Sequence, residues 1–124
     1  MNQQNIEYLG VKIDISDIDI IECRLKRVNA PLCIQKLENS LPIISRVIKR
    51  NDKLIFNTNI SCSRERAKSY FQKGDIAIDS SSGNITIYLK ESASTSPENL
   101  LGNIDKLPDF STIRLTAGIK LEKI

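Results

Sequence analysis

Alternation of apolar and polar residues dominates this chain and predicts a fold made mainly of β-strands. The pattern first appears at residues 11–15 and again at residues 21–25. In a β-strand, successive side chains point to opposite faces. An alternating sequence therefore places one face of the strand against a core and the other in water. These two segments are expected to be the first two strands.

The period changes after Val28 and predicts an α-helix. The apolar positions at helical spacing are Ala30, Cys33, Ile34, Leu37 and Leu41. Positions three and four apart share one face of a helix, which this stripe would turn toward the core. Asn29 is expected to be the N-cap, Pro31 fits the first turn, and Pro42 is expected to end the helix.

Two hairpins are predicted downstream of the helix. In the first, residues 43–48 and 54–60 flank a polar connection whose Asn51-Asp52 pair suits a turn. In the second, residues 76–78 and 85–89 alternate on either side of Ser80-Ser81-Ser82-Gly83-Asn84, a run whose glycine and asparagine tolerate positive φ. Each strand of the second hairpin is expected to have one buried and one polar face.

The remaining segments carry weaker patterns. Residues 61–73 are polar, and their structure is left open. Residues 92–99 have the composition of an exposed loop, and residues 100–107 show helical spacing that predicts a second short helix before Pro108. The chain ends with its longest alternation, whose apolar side in a final strand is formed by Ile113, Leu115, Ala117, Ile119 and Leu121.

Together these elements predict one domain over residues 1–124, with residues 1–5 flexible. Seven or so strands joined mostly by hairpins, with two short helices, favour a mainly β fold closed into a largely antiparallel barrel. The length of 124 residues is enough for one core and too short for two. Closure would also hide strand edges that could otherwise pair between molecules.

Short motifs in a particular order resemble those of the small prokaryotic, often archaeal, cyclophilin-like domains. They are Asn29-Ala30-Pro31, Leu41-Pro42, Gly74-Asp75-Ile76-Ala77, Gly83-Asn84 and Leu101-Gly102-Asn103-Ile104. The resemblance covers roughly residues 18–123 and implies a cyclophilin-like barrel. The chain departs from the family at Ile78-Asp79-Ser80-Ser81, where aromatic and proline residues usually follow the Gly-Asp strand.

Composition narrows the possible chemistry. The chain contains no histidine, which excludes triad hydrolases and histidine-based zinc sites. Asp14, Asp17 and Asp19 of the DISDID run are interpreted as solvated positions at the rim of the fold, since the run lacks the glycine and later glutamate of a calcium loop. No metal or cofactor is predicted. The three cysteines, an odd number without paired spacing, are expected to be reduced.

The resemblance raises the question of peptidyl-prolyl isomerase activity. Ser45-Arg46-Val47-Ile48 is similar to the family's His-Arg-Ile-Ile segment, so Arg46 is the one position to which a catalytic role can be carried. Such an enzyme holds proline in an apolar, aromatic pocket while an arginine hydrogen-bonds near the prolyl nitrogen. The aromatic floor is poorly supplied, with Phe56 among the few candidates, so a weak isomerase is the alternative interpretation.

The favoured interpretation is a non-catalytic module that binds a peptide or protein. Phe56 is the candidate for its apolar floor, and Asn57, Asp79 and Asn84 are the candidate polar contacts near the barrel mouth. Nucleic-acid binding, suggested by a net charge of +3 and a few basic clusters, is not favoured because the excess is small and aromatic neighbours are scarce. Without an apolar run long enough to span a bilayer, or a signal peptide, the protein is expected to be cytoplasmic and free of membranes. Its oligomeric state stays open.

Overall fold

A computed structural model describes residues 7–16, 18–111, 113 and 115–124. This part of the chain contains nine strands, one α-helix and one 3₁₀ turn at Arg27–Asn29. The helix α1 spans Pro31–Ser40. The strands are β1 Tyr8–Ile15, β2 Asp19–Lys26, β3 Ile43–Arg50, β4 Lys53–Asn57, β5 Lys68–Phe71, β6 Asp75–Ile78, β7 Asn84–Tyr88, β8 Ser92–Asn103 and β9 Thr116–Lys123. The flexibility predicted for residues 1–5 concerns residues outside those described.

Eight of the strands close into an antiparallel barrel. They follow one another in the order β2-β1-β9-β3-β4-β7-β6-β8, and Leu25 of β2 pairs with Gly102 of β8 to complete the circle. β5 lies outside the barrel and pairs with β8. The predicted mainly β, closed and antiparallel architecture is therefore confirmed.

The barrel core is built from the alternating apolar side chains that predicted the strands. Every second residue of β1 is buried, and β2 buries Ile21, Cys23 and Leu25. α1 adds Cys33, Ile34 and Leu37 to the same cluster. Burial of a Leu or Ile side chain contributes about 1.5–3 kcal/mol, so this shared interior is the main source of stability.

The hairpin of β6 and β7 differs from its prediction, because both of its faces are buried. Its inward residues join the barrel core, while Ala77 and Tyr88 on the outer face pack with Phe71 of β5. The rings of Phe71 and Tyr88 stack with centroids 4.6 Å apart. β5 and the first half of β8 thus form a second layer over this part of the barrel, and the expected polar face is covered.

The second short helix and the preceding loop were wrong predictions. Residues 92–103 form the long strand β8, which pairs with β5, then with β6 and β2. Leu101 is buried in the barrel core, whereas Leu100 packs against the outer cluster of Phe71 and Tyr88. A local helical spacing of leucines was outweighed by a strand position that satisfies backbone hydrogen bonds with three neighbouring strands.

The final strand is shorter than its alternation predicted. β9 begins at Thr116, and Ile119 and Leu121 are buried as expected, but Leu115 is 73% exposed. Ile113 is buried ahead of the strand. The alternation therefore spans a strand and part of the connection before it. In the described part of the chain, no helix is long and apolar enough to cross a membrane.

Two of the three cysteines form a disulfide, so the prediction that all are reduced was wrong. Cys33 and Cys62 are joined with their Cα atoms 5.6 Å apart, although 29 positions separate them in sequence. Cys23 is a free, buried thiol, and burial raises its pKa to about 12. The pair forms because the connection between β4 and β5 passes over the start of α1, a contact that no sequence spacing indicates.

The helix cap also comes from that connection. Ala30 occupies the N-cap position and no side chain caps locally, so the prediction of Asn29 as the cap was wrong. The Glu65 carboxylate instead accepts hydrogen bonds from the backbone N–H groups of Leu32 and Cys33, each at 2.9 Å. A carboxylate at this end satisfies otherwise unpaired donors and complements the helix dipole.

Candidate binding groove

A groove of about 840 Å³ runs across the outer face of β3, β4 and β7, and residues of the first half of β8 form one wall. The inner faces of these strands belong to the core, so their outward side chains make the floor. Strand register aligns Ile48 with Ile55, and Ile55 with Thr86. Ile48 is 43% exposed, which gives the middle of the groove an accessible aliphatic surface.

Arg46 lies on the same outward face of β3 as Ile48, two residues earlier. Its Nε donates a hydrogen bond to Thr116 Oγ1 at 3.3 Å, which orients the side chain from the neighbouring strand β9. The guanidinium carries five N–H donors, so most of them stay available. An arginine beside an aliphatic surface can therefore bind a carbonyl or carboxylate of a ligand that rests on Ile48.

Asn57, Asn84 and Asp79 lie together where β4 and β7 meet the turn between β6 and β7. Asn57 Nδ2 donates to Asn84 Oδ1 at 2.7 Å and to the Ser82 carbonyl at 2.9 Å. Asp79 Oδ1 accepts hydrogen bonds from the backbone N–H and the hydroxyl of Ser81. Partial burial opposes ionisation of Asp79, but the hydrogen bonds from Ser81 and Ser82 together lower its pKa below the ordinary value. These groups stiffen this end of the groove.

Lys53 lies at the opposite end of the groove, and Glu98 of β8 lies in its wall. The buried Tyr88 hydroxyl donates to Glu98 Oε1 at 2.7 Å. Burial raises the pKa of Glu98, with the hydrogen bond from Tyr88 acting in the other direction. Lys53 Nζ lies 5.2 Å from the centre of the Tyr88 ring and donates to the Ala93 carbonyl at 3.0 Å. Lys53 is thus tied to the second layer, and Glu98 of that layer is tied to β7.

Four of the site residues predicted from the sequence lie in this one groove, namely Arg46, Asn57, Asp79 and Asn84. Phe56 lies beneath them, but its side chain is 2% exposed and belongs to the barrel core. The accessible apolar surface comes from Ile48 and Ile55 instead.

Sequence reasoning missed most of the groove lining. Four of the missed residues form its apolar strip and its charged wall: Ile48, Lys53, Ile55 and Glu98. The alternation of the first hairpin could have identified the first three, because they share the outward face with Arg46 and Asn57. Glu98 had no such signal, since its segment was predicted to be a loop.

Several of the basic residues that suggested nucleic-acid binding have partners within the fold. Arg27 forms an ion pair with Glu38 at 3.0 Å, and Lys49 Nζ donates to the Phe110 carbonyl. Arg66 donates to the Val28 carbonyl. Among the described residues, no three His, Cys, Asp or Glu side chains come together as a possible metal site.

Comparison with known proteins gives a structural likeness. No protein-family model and no curated protein matches the chain. The solution structure of a hypothetical protein from Archaeoglobus fulgidus is similar over 100% of both chains, with a TM-score of 0.83 and 19% sequence identity. At this identity the likeness shows a shared fold, namely a small barrel that occurs in another chain of the same extent.

Proposed function

We propose that this protein is a cyclophilin-like module that binds an extended peptide segment combining apolar and acidic residues. The supporting observation is the position of Arg46 beside the aliphatic strip of Ile48 and Ile55 in an open groove. An apolar side chain of the peptide would rest on the strip, and a carboxylate or backbone carbonyl would accept from Arg46. Grooves of this kind take specificity from a few fixed polar groups around an apolar floor.

The charges of the groove favour an acidic ligand. Its acidic residues are already engaged within the protein: Asp52 pairs with Lys90, Asp79 accepts from Ser81, and Glu98 accepts from Tyr88. Arg46 and Arg50 form no ion pair with any described residue. With Asp52 paired to Lys90, the cations Arg46, Arg50 and Lys53 outnumber the carboxylates Asp79 and Glu98, so the groove attracts carboxylates and disfavours basic peptides.

Weak peptidyl-prolyl isomerase activity using Arg46 is the second candidate. The adjacency of Arg46 and an apolar surface is what favours it, because proline needs both a hydrophobic contact and a donor near its nitrogen. The floor is aliphatic, however, and the rings of Phe56, Phe71 and Phe110 are all buried. Binding without chemistry fits this surface better.

Binding is tested with two peptides that differ only in charge, Glu-Val-Pro-Val-Glu and Lys-Val-Pro-Val-Lys. The acidic peptide is expected to shift the amide resonances of Ile48, Ile55 and Thr86, and the basic peptide is not. Arg46→Ala should weaken binding of the acidic peptide about threefold to tenfold, as expected for loss of a partly solvated hydrogen bond to a charged group.

Arg24→Ala is the matched control, since Arg24 is an exposed arginine on β2, outside the groove. It should leave peptide affinity unchanged. Absence of groove shifts at millimolar peptide, or an equal loss in both variants, would contradict the proposal. In a proline-isomerisation assay on a short Ala-Pro peptide, a substantial rate that Arg46→Ala abolishes would favour the enzyme over the binding module.

A further inference from the structure

Residues 58–67, here called the crossover segment, connect β4 to β5 and lie against α1 without forming a strand or helix. Side chains hold the segment in place at several points. Lys36 Nζ donates to the Ser61 carbonyl at 2.7 Å, and Glu65 caps α1. Ile60 of the segment is buried in the barrel core, and the polar remainder of the segment depends on such ties for its position.

The Cys33–Cys62 disulfide lies at the middle of these ties. Cys33 is buried on α1, whereas Cys62 on the crossover segment is partly exposed. Asn99 is fully buried at 0% exposure, and its Nδ2 donates to Cys33 Sγ at 3.1 Å and to the Ser63 carbonyl at 2.9 Å. Asn99 Oδ1 in turn accepts from the Glu65 N–H at 2.7 Å. One buried amide therefore joins the disulfide, the segment and β8.

The crossover segment also holds the turn that forms one end of the groove. The Cys62 N–H donates to the Ser80 carbonyl at 2.9 Å, and the Thr58 N–H and hydroxyl both donate to the Gly83 carbonyl, at 3.0 and 2.7 Å. Asn84 follows directly and pairs with Asn57. A change in the segment is therefore passed through direct contacts to Asp79, Asn84 and the groove.

We propose that the Cys33–Cys62 disulfide is a reversible redox site that controls the order of the groove. An external dithiol reduces it in two steps. A thiolate of the dithiol attacks the more exposed Cys62 Sγ, the Cys33–Cys62 bond breaks, and its electron pair leaves on Cys33 Sγ. The second thiol of the dithiol, as its thiolate, then attacks the mixed disulfide and releases the Cys62 thiolate. The protein gains two electrons and ends with two thiols, and the dithiol becomes a disulfide.

The surroundings of Cys33 support it as the leaving sulfur. The Asn99 Nδ2 group already donates to Cys33 Sγ at 3.1 Å, and this hydrogen bond can stabilise the negative charge that forms on the leaving sulfur. Reduction removes the one covalent tie between the crossover segment and α1 and leaves the hydrogen bonds and the buried Ile60, so the Ser80 to Asn84 turn loses a rigid support. Redox control of the turn does not depend on the proposed function. Only the effect of reduction on peptide affinity rests on it.

The test treats the folded protein with dithiothreitol in the absence of denaturant and counts thiols by alkylation and mass spectrometry. Amide hydrogen exchange is measured in both states. Reduction should release two thiols in addition to Cys23, and exchange at Thr58, Cys62 and Gly83 should accelerate at least tenfold. Exchange in β1 and β2 should stay unchanged, and reoxidation should restore the original rates.

Cys62→Ser provides a permanently open form, and Cys23→Ser is the matched control that leaves the disulfide intact. Cys62→Ser should reproduce the faster exchange of the reduced protein, and Cys23→Ser should not. Reduction that occurs only with global unfolding, or unchanged exchange at the turn in the reduced protein, would overturn the proposal. Hydrogen exchange is measured without any peptide. A failure of peptide binding would therefore contradict the proposed function without affecting the test of the redox site.

Discussion

Gly83 offers the sharpest test of how the crossover segment packs on the β6–β7 turn. It has a φ of +78°, and a Cβ built there would lie 2.4 Å from the Ile60 carbonyl oxygen and 2.8 Å from the Ile60 nitrogen. Both atoms belong to the backbone, which cannot rotate away as a side chain can. Gly83→Ala therefore forces the turn and the segment apart.

The cost of Gly83→Ala can be worked from these contacts. An L residue in the left-handed region costs about 1–2 kcal/mol. Separation of the segment also weakens the two hydrogen bonds from Thr58 to the Gly83 carbonyl, each contributing about 1 kcal/mol. Reduced entropy of the unfolded chain offsets about 0.4–1 kcal/mol. We expect a net loss of about 3 kcal/mol in the free energy of unfolding.

Urea denaturation followed by circular dichroism measures this loss, read as a lower midpoint at constant slope. Gly10→Ala is the matched control, because Gly10 has no positive φ and its added carbon would meet only the Ile124 side chain at 3.4 Å. Its stability should change by less than about 1 kcal/mol. A loss below about 1 kcal/mol for Gly83→Ala, or equal losses in the two variants, would refute the close backbone approach on which the argument rests.

Two further predictions concern buried and paired acids. Tyr88→Phe should lower the free energy of unfolding, measured by urea denaturation, by about 1–3 kcal/mol. It should also raise the pKa of Glu98 further in an NMR titration, because Glu98 loses the hydrogen bond from Tyr88. An unchanged Glu98 pKa would contradict this. The pKa of Glu38 lies below its ordinary 4.5 because of Lys123 and, to a smaller extent, Arg27. The ion pairs of Glu38 therefore stabilise the fold above pH 4.5, and this stabilisation is lost as the pH falls through the lowered pKa. Glu38→Gln should therefore lose less stability than the parent between pH 5 and pH 3, and identical pH profiles would exclude the pairing.

The hairpins and the helix could be predicted from the sequence because their patterns are local. Alternation at residues 11–15 and 43–48 reports directly which side chains face a core, and Pro31 and Pro42 mark the bounds of a helix. Closure into a barrel followed from many short antiparallel strands that need partners. Arg46 was singled out by the resemblance of Ser45-Arg46-Val47-Ile48 to a family segment, and the structure places it on the outward face of β3.

Tertiary contacts decided the features for which a sequence offers no local signal. Residues 92–103 form a strand because β5, β6 and β2 supply backbone partners, which outweighs a helical spacing of leucines. The cap of α1 comes from Glu65, and the disulfide joins Cys33 to a residue 29 positions away. The groove floor likewise needs β3, β4 and β7 side by side. Local periodicity determines which side of a strand is buried, whereas the partners of each exposed group depend on which distant segments the closed barrel brings together.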